Sequence, residues 1–130
     1  MVRPLFHGDL FAGVLPELDL RIPRLTISSR NAVSLGLIVN ELATNAVKYA
    51  TEPGAGMHFS VELSGEGSGP FRLEVANSGA PLPEAINLSD SQTLGLGLTL
   101  IVSLVQGLGG SIAVDRSVGT RYVMEFPSLS

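Results

Sequence analysis

The sequence contains no cysteine and no tryptophan, and it has only 2 histidines. The absence of cysteine excludes disulfides and thiolate metal ligands, and two histidines are too few for a histidine-rich zinc site. A chain without disulfides fits a reducing compartment. We therefore expect a cytoplasmic location.

Positive charge is also scarce, because 8 Lys and Arg stand against 12 Asp and Glu, which gives a net charge of −4. The chain has no basic cluster with interleaved aromatic residues that could neutralise a nucleic-acid backbone. We therefore expect no nucleic-acid partner. His7, Gly8 and Asp9 interrupt the apolar residues at the start, so a secretory signal peptide is not indicated either.

Apolar residues, by contrast, are abundant. Hydrophobic residues make up 45% of the 130 residues and charged residues 15%, which is typical of one folded globular domain. The uncharged stretch 91–114 is long enough to span a bilayer, but it contains several glycines and no flanking aromatic or basic anchors. A buried helix followed by a turn is the better interpretation, and we expect no direct membrane contact.

The chain is predicted to divide into a lead-in segment and one domain. Residues 1–17 show no clear period, which indicates a lead-in segment from an upstream domain, and residues 18–130 are predicted to form the domain itself. Alternating apolar and polar residues predict two short strands, Leu18–Ile22 and Arg24–Ser28.

A long amphipathic helix is predicted next, capped by Ser28 or Ser29, starting near Arg30 and running to about Ala50. One broad face is apolar: Leu35, Ile38, Val39, Leu42, Ala43, Ala46 and Val47. Glu41, Asn45 and Lys48 form a polar stripe on another face.

The remaining chain alternates strands, loops and one more helix. We predict strands at Met57–Leu63, Phe71–Ala76, Ser111–Arg116 and Arg121–Phe126, a long and mobile loop at 77–93, and a helix, apolar on nearly every side, at Gly95–Leu108. This order predicts an α+β fold, a two-layer α/β sandwich in which helices cover one face of a mixed sheet.

Four segments resemble, in order, the boxes of the GHKL ATPase superfamily, and the likeness covers nearly all of residues 18–127. The wording Leu-Gly-Leu-Ile-Val-Asn-Glu-Leu-Ala-Thr-Asn-Ala-Val-Lys-Tyr-Ala, residues 35–50, looks most like sensor histidine kinases of the second subfamily and its HWE relatives. The resemblance implies a Bergerat-type ATP-binding catalytic domain that uses ATP and Mg²⁺. It also implies two partners: a separate dimerisation domain that carries the phosphoacceptor histidine, and a response regulator receiver domain.

The first segment resembles the family's N box, whose pattern falls on Glu41, Asn45 and Lys48. The resemblance makes Asn45 a magnesium ligand, and an amide oxygen suits that hard cation. Lys48 could reach phosphate oxygens. Glu41 would be the catalytic residue that orients or deprotonates the target imidazole. Seen alone, such a stripe is typical of the solvated face of an amphipathic helix, but the neighbouring boxes favour the functional interpretation.

The second segment, residues 75–83, lies where the family carries Asp-Asn-Gly-x-Gly after a strand. Here Asn77 stands in place of the aspartate that accepts a hydrogen bond from the adenine amino group, Ser78 follows it, and Pro81 replaces the second glycine. An asparagine still offers a carbonyl oxygen, but charge-assisted hydrogen bonds are roughly twice as strong. The departure therefore predicts weakened adenine binding.

The third segment, residues 94–98, resembles the glycine-rich box that ends the ATP lid and starts a helix, where backbone amides could cradle a triphosphate. The fourth, Gly119-Thr120, resembles the family's closing hairpin, whose threonine lies near the adenine-binding position. Together the boxes assign nucleotide contacts to Asn45, Lys48, Tyr49, Asn77, Gly79, Leu82, Gly95, Leu96, Gly97, Leu98 and Thr120.

Neither histidine has the surroundings of a phosphoacceptor. His7 lacks a helical Glu-x-x-His-Arg-type context, and His58 starts a predicted strand, so the acceptor is expected on another domain. Two alternatives to a histidine kinase stay open. One is a degenerate relative that serves as a docking or phosphotransfer module with weak or no ATP binding, and the other is an anti-sigma-type serine kinase.

Overall fold

The computed structural model describes residues 16–23, 27–50, 57–66 and 69–129. Within these ranges the chain forms five strands, two α-helices and one short 3₁₀ helix. In chain order they are β1 (Pro16–Arg21), α1 (Ser29–Ala50), β2 (Met57–Gly65), β3 (Phe71–Asn77), the 3₁₀ helix (Ser91–Thr93), α2 (Leu96–Gly107), β4 (Ser111–Asp115) and β5 (Thr120–Phe126).

The five strands form one sheet in the order β1-β2-β3-β5-β4. The β1–β2 pair is parallel, with α1 as its crossover, and the other three pairs are antiparallel. A parallel pair needs such a crossover, whereas antiparallel neighbours can be joined by short turns. The mixed sheet with helices packed against it confirms the predicted α+β fold class.

Helix α1 begins where its cap predicts. The backbone N–H of Asn31 donates to Ser28 Oγ at 3.3 Å, and that of Ala32 donates to Ser28 O at 2.9 Å. The predicted second strand is wrong at Ile27 and Ser28, which are not in a strand because Ser28 caps α1; the rest of that prediction falls on residues 24–26, outside the described ranges.

The core lies between α1, α2 and one face of the sheet. Alternate residues of β2, β3 and β5 are buried, as the strand period requires, and the predicted apolar face of α1 packs on them. Helix α2 departs from the prediction of a buried helix. It buries Leu98, Ile101 and Val105, whereas Leu96 is 88% exposed and Leu100 39% exposed.

The predicted boundary after residue 17 stays a prediction, because residues 1–15 lie outside the described ranges. Strand β1 begins at Pro16, so the sheet starts slightly before that boundary. In the described ranges, no helix combines the length and apolar character needed to cross a membrane.

Candidate functional site

The polar stripe of α1 meets the first turn of α2 at Gly97. A β-carbon placed on Gly97 would lie 2.8 Å from Glu41 Oε2 and 4.0 Å from Asn45 Oδ1. The absence of a side chain at Gly97 therefore lets the two helices bring a carboxylate and an amide oxygen to the amino end of α2. Glu41 and Asn45 of α1 and Gly97 of α2, all three predicted as site residues, therefore lie together at this point.

Asn45 is the half-buried centre of this group. Its Nδ2 atom is buried, and within the described ranges it makes no hydrogen bond of ordinary geometry. Burial raises the pKa of the Tyr122 phenol to about 12. The charge of Arg116 and the neighbouring Asn45 side chain act in the opposite direction, with smaller effects. Tyr122 is therefore a neutral phenol beside the predicted magnesium ligand.

A second group of predicted residues lies at the ends of β3 and β5. Asn77 pairs with Thr120 in the antiparallel register, and both side chains are buried. Asn77 Nδ2 donates to Ser78 O at 2.9 Å, and Thr120 Oγ1 accepts a hydrogen bond from the backbone N–H of Leu82 at 2.8 Å. One N–H of Nδ2 is engaged by this bond, and within the described ranges Oδ1 accepts no hydrogen bond, so Asn77 can offer this carbonyl oxygen to a ligand.

Ser78 stands where the family pattern has an asparagine, and it has a structural role. Its Oγ accepts a hydrogen bond from the backbone N–H of His58 at 2.8 Å, and its own N–H donates to His58 O at 2.9 Å. These bonds continue the pairing of β2 and β3 by one residue and hold Asn77 at the end of the sheet.

The hairpin that carries Thr120 needs a glycine. Gly119 has a φ of +61°, and a β-carbon there would lie only 2.1 Å from Asn77 O. The close approach of the two backbones brings Thr120 beside Asn77, as the fourth box predicts.

The loop between β3 and α2, residues 78–95, is stabilised by hydrogen bonds. Thr93 Oγ1 bonds the backbone groups of Asn87 and the carbonyl of Asp90, and Asp90 caps the 3₁₀ helix. Leu82 and Ile86 are buried in the core. These contacts give the loop a defined conformation. The mobility predicted for residues 77–93 remains a prediction.

The other predicted contact residues differ in their surroundings. Lys48 is exposed, with Nζ 5.0 Å from the centroid of the Tyr49 ring, and no described contact joins it to Glu41 or Asn45. Gly79 is exposed with a φ of +94°, Gly95 and Leu96 are exposed at the start of α2, and Leu98 is buried in the core.

Two residues near the site were not predicted. Tyr122 could have been found, because it lies two residues after Thr120 on β5 and so faces the same side of the sheet. Arg116 donates from Nε to Leu82 O at 3.1 Å and from Nη2 to Ile86 O. Its partners are backbone carbonyls, which leave no signature in the sequence.

His58 lies on the exposed face of β2, away from the core. His7 lies outside the described ranges, so its predicted lack of a role is untested.

Comparison with known proteins identifies the family. Residues 30–130 match the family described as histidine kinase-, DNA gyrase B- and HSP90-like ATPases. The signal transduction histidine-protein kinase/phosphatase UhpB of Salmonella typhimurium is 28% identical over 116 residues, which are 88% of this chain and 21% of that protein. The chain thus spans about a fifth of that relative.

Solved structures agree with the same assignment. The histidine kinase domain of the Erythrobacter litoralis EL346 blue-light activated histidine kinase has a TM-score of 0.76 and 25% identity, covering 87% of this chain and 52% of that one. The mycobacterial sensor histidine kinase MprB has a TM-score of 0.66 and 20% identity, covering 91% and 86%, and supports the fold alone. The resemblance to the ATP-binding domain of sensor histidine kinases is confirmed.

The close approach at Gly119 gives a stability prediction. We expect Gly119→Ala to lower the free energy of unfolding by about 2 kcal/mol or more, because the new methyl group meets Asn77 O and the residue must keep a positive φ. Gly95→Ala is the matched control, since nothing in the described part of the chain lies within 4 Å of its β-carbon position. Urea denaturation measures both variants. Equal midpoints for the two would contradict the close approach.

Proposed function

We infer the function of this chain from the family to which it belongs, the histidine kinase-, DNA gyrase B- and HSP90-like ATPases. We propose that residues 18–130 bind ATP and magnesium between α1 and the 78–95 loop. The domain then presents the γ-phosphate to a histidine on a separate dimerisation domain, from which a response regulator receiver domain takes it. The observation that carries the proposal is the meeting of Glu41, Asn45 and Gly97.

The surroundings of Asn45 fit a magnesium-bound triphosphate. Its Oδ1 is a hard oxygen donor of the kind that magnesium accepts. Its buried Nδ2 makes no hydrogen bond of ordinary geometry within the described ranges, with the Tyr122 phenol as its neighbour, and a buried donor left unpaired costs about 1–3 kcal/mol. A phosphate or ribose oxygen of a bound nucleotide could accept a hydrogen bond from it.

The amino end of α2 supplies donors for the phosphates. Gly95 caps the helix without a side-chain hydrogen bond, so the first backbone amides are not used by a capping side chain. Glu41 places a carboxylate at the same helix end. A triphosphate there would be repelled by this carboxylate, which is a physical reason for the site to need a cation. Magnesium, when bound, would supply that charge neutralisation.

Asn77 and Thr120 fit the adenine end of the site. The bond from Asn77 Nδ2 to Ser78 O favours the amide orientation in which Oδ1 is the free acceptor, and within the described ranges Oδ1 accepts no hydrogen bond. An adenine amino group is a donor that suits such an acceptor. Thr120 supports this end indirectly, because its hydroxyl holds the Leu82 backbone.

Glu41 is the group that we assign to the transfer step. Its carboxylate lies where the triphosphate would meet an incoming imidazole, and it would orient that imidazole or take its proton. Most of the catalysis would come from positioning and charge neutralisation, as is usual for phosphoryl transfer. Lys48, on the exposed edge of the stripe, would reach phosphate oxygens only after leaving the Tyr49 ring.

The first test removes the proposed metal ligand. Isothermal calorimetry with a non-hydrolysable ATP analogue should show binding that magnesium strengthens, and Asn45→Ala should abolish the magnesium-dependent part because the amide oxygen is lost. Asn40→Ala is the matched control, an amide on the same helix outside the polar stripe. No detectable binding to the unmodified domain at millimolar analogue would contradict the proposal.

The second test concerns the adenine-binding position. Asn77→Asp should tighten analogue binding by about fivefold to tenfold, because a charged acceptor replaces a neutral one. It should also destabilise the free domain, because a carboxylate oxygen then faces Ser78 O in place of the Nδ2 donor.

Calorimetry and urea denaturation measure the two effects of Asn77→Asp separately. Asn77→Ala, which removes the acceptor, should weaken binding and serves as the control. Failure of both the unmodified domain and Asn77→Asp to bind would favour the alternative, a docking or phosphotransfer module that has lost nucleotide binding.

A further inference from the structure

Arg116 links the hairpin between β4 and β5 to the 78–95 loop. Its guanidinium donates from Nε to Leu82 O at 3.1 Å and from Nη2 to Ile86 O. The two carbonyls lie one after the other along the first half of the loop. The planar guanidinium can bond two acceptors at once with fixed geometry, which an ammonium group cannot do.

The turn that carries Arg116 is itself fixed. Asp115 Oδ1 accepts hydrogen bonds from the backbone N–H of Ser117 at 2.9 Å and from Ser117 Oγ at 2.7 Å. These bonds close the turn around Arg116. Within the described ranges Arg116 has no carboxylate in ion-pair contact, so its hydrogen bonds go to the loop carbonyls alone.

The same hairpin holds Leu82 from both sides. Thr120 Oγ1 accepts from the Leu82 N–H, and Arg116 donates to the Leu82 carbonyl. Thr120 is also the register partner of Asn77. The backbone position of Leu82 is therefore set by two residues of one hairpin, and one of them lies beside the proposed adenine acceptor.

Within the described ranges, Arg116 makes no hydrogen bond to Asn45 or Asn77. Its connection with the site therefore runs through the backbone of Leu82 and Ile86.

We propose that Arg116 is a positioning residue that clamps the first half of the 78–95 loop to the β4–β5 hairpin and thereby keeps the adenine end of the site formed before the nucleotide binds. Its effect on nucleotide affinity rests on the proposed function, whereas the clamp itself does not. Binding improves when loop residues are ordered in advance, because less conformational entropy is lost on association.

The first arm of the test needs no nucleotide. Amide hydrogen exchange of the free domain should be about tenfold faster or more at Leu82, Ile86 and Asn87 in Arg116→Gln, which loses both bonds to the loop. Amides of the β2–β3 pairing should be unchanged. Arg116→Lys should recover part of the protection, because its single flexible nitrogen lacks the two separate donor atoms with which the planar guanidinium reaches the two carbonyls. Unchanged exchange in the loop would overturn the clamp.

The second arm measures the consequence for the site by calorimetry with the ATP analogue. Arg116→Gln should weaken binding about tenfold while the strengthening by magnesium persists, which separates it from Asn45→Ala, and Arg116→Lys should fall between it and the unmodified domain. Arg121→Gln is the control, an arginine of the same hairpin whose side chain pairs with Glu74 on the other face of the sheet.

The two arms distinguish failure of the inference from failure of the proposed function. Equal affinity of the unmodified domain and Arg116→Gln would overturn the positioning role and leave nucleotide binding intact. If the unmodified domain binds no nucleotide, the proposed function fails, and the exchange arm still decides whether Arg116 clamps the loop. If Arg116→Gln does not fold, Arg116→Lys gives both readouts.

Discussion

The packing of α1 on the sheet is the constraint on which the candidate site depends. Its apolar face is buried against β2, β3 and β5, which fixes the rotation of the helix about its own axis. With that rotation fixed, the stripe of Glu41 and Asn45 can only face the amino end of α2. Gly97 then completes the arrangement, because a side chain there would contact the Glu41 carboxylate and force it to shift.

The other end of the site depends on strand pairing. The antiparallel register of β3 and β5 sets Asn77 opposite Thr120, and Gly119 lets the two backbones approach. A shift of β5 by one residue would turn the Thr120 side chain to the opposite face of the sheet and away from Asn77. Helix packing therefore governs the proposed phosphate end, and strand pairing governs the proposed adenine end. The 78–95 loop connects the two, and the hairpin of Arg116 and Thr120 anchors it.

The sequence predicted those elements whose signals are local. The bounds of α1 followed from the Ser28 cap and the apolar period, and the strands β2, β3 and β5 followed from alternation. The prediction of a second N-terminal strand was wrong at Ile27 and Ser28. Ser28 caps α1, although the residues around it alternate between apolar and polar. The apolar composition of α2 did not reveal that Leu96 stays exposed, since exposure depends on what packs against each side.

Two hydrogen-bond contacts of the site were beyond prediction because their acceptors are backbone carbonyls. The bonds of Arg116 go to backbone carbonyls, and every residue has one, so no pattern of side chains marks them. The engagement of Asn77 Nδ2 by Ser78 O likewise depends on the local turn rather than on the residue types alone. The four sequence segments indicated which residues lie close together in the site. The structure adds the hydrogen bonds that position these residues.

The location of nucleotide binding is tested most directly by nuclear magnetic resonance of the ¹⁵N-labelled domain. On addition of the ATP analogue with magnesium, we expect the largest amide shift changes at Asn45, Asn77, Gly97 and Thr120. The amides of Arg72 and Glu62, on the exposed face of the sheet, should change little. Shift changes concentrated on that exposed face, or none at millimolar analogue, would contradict the account.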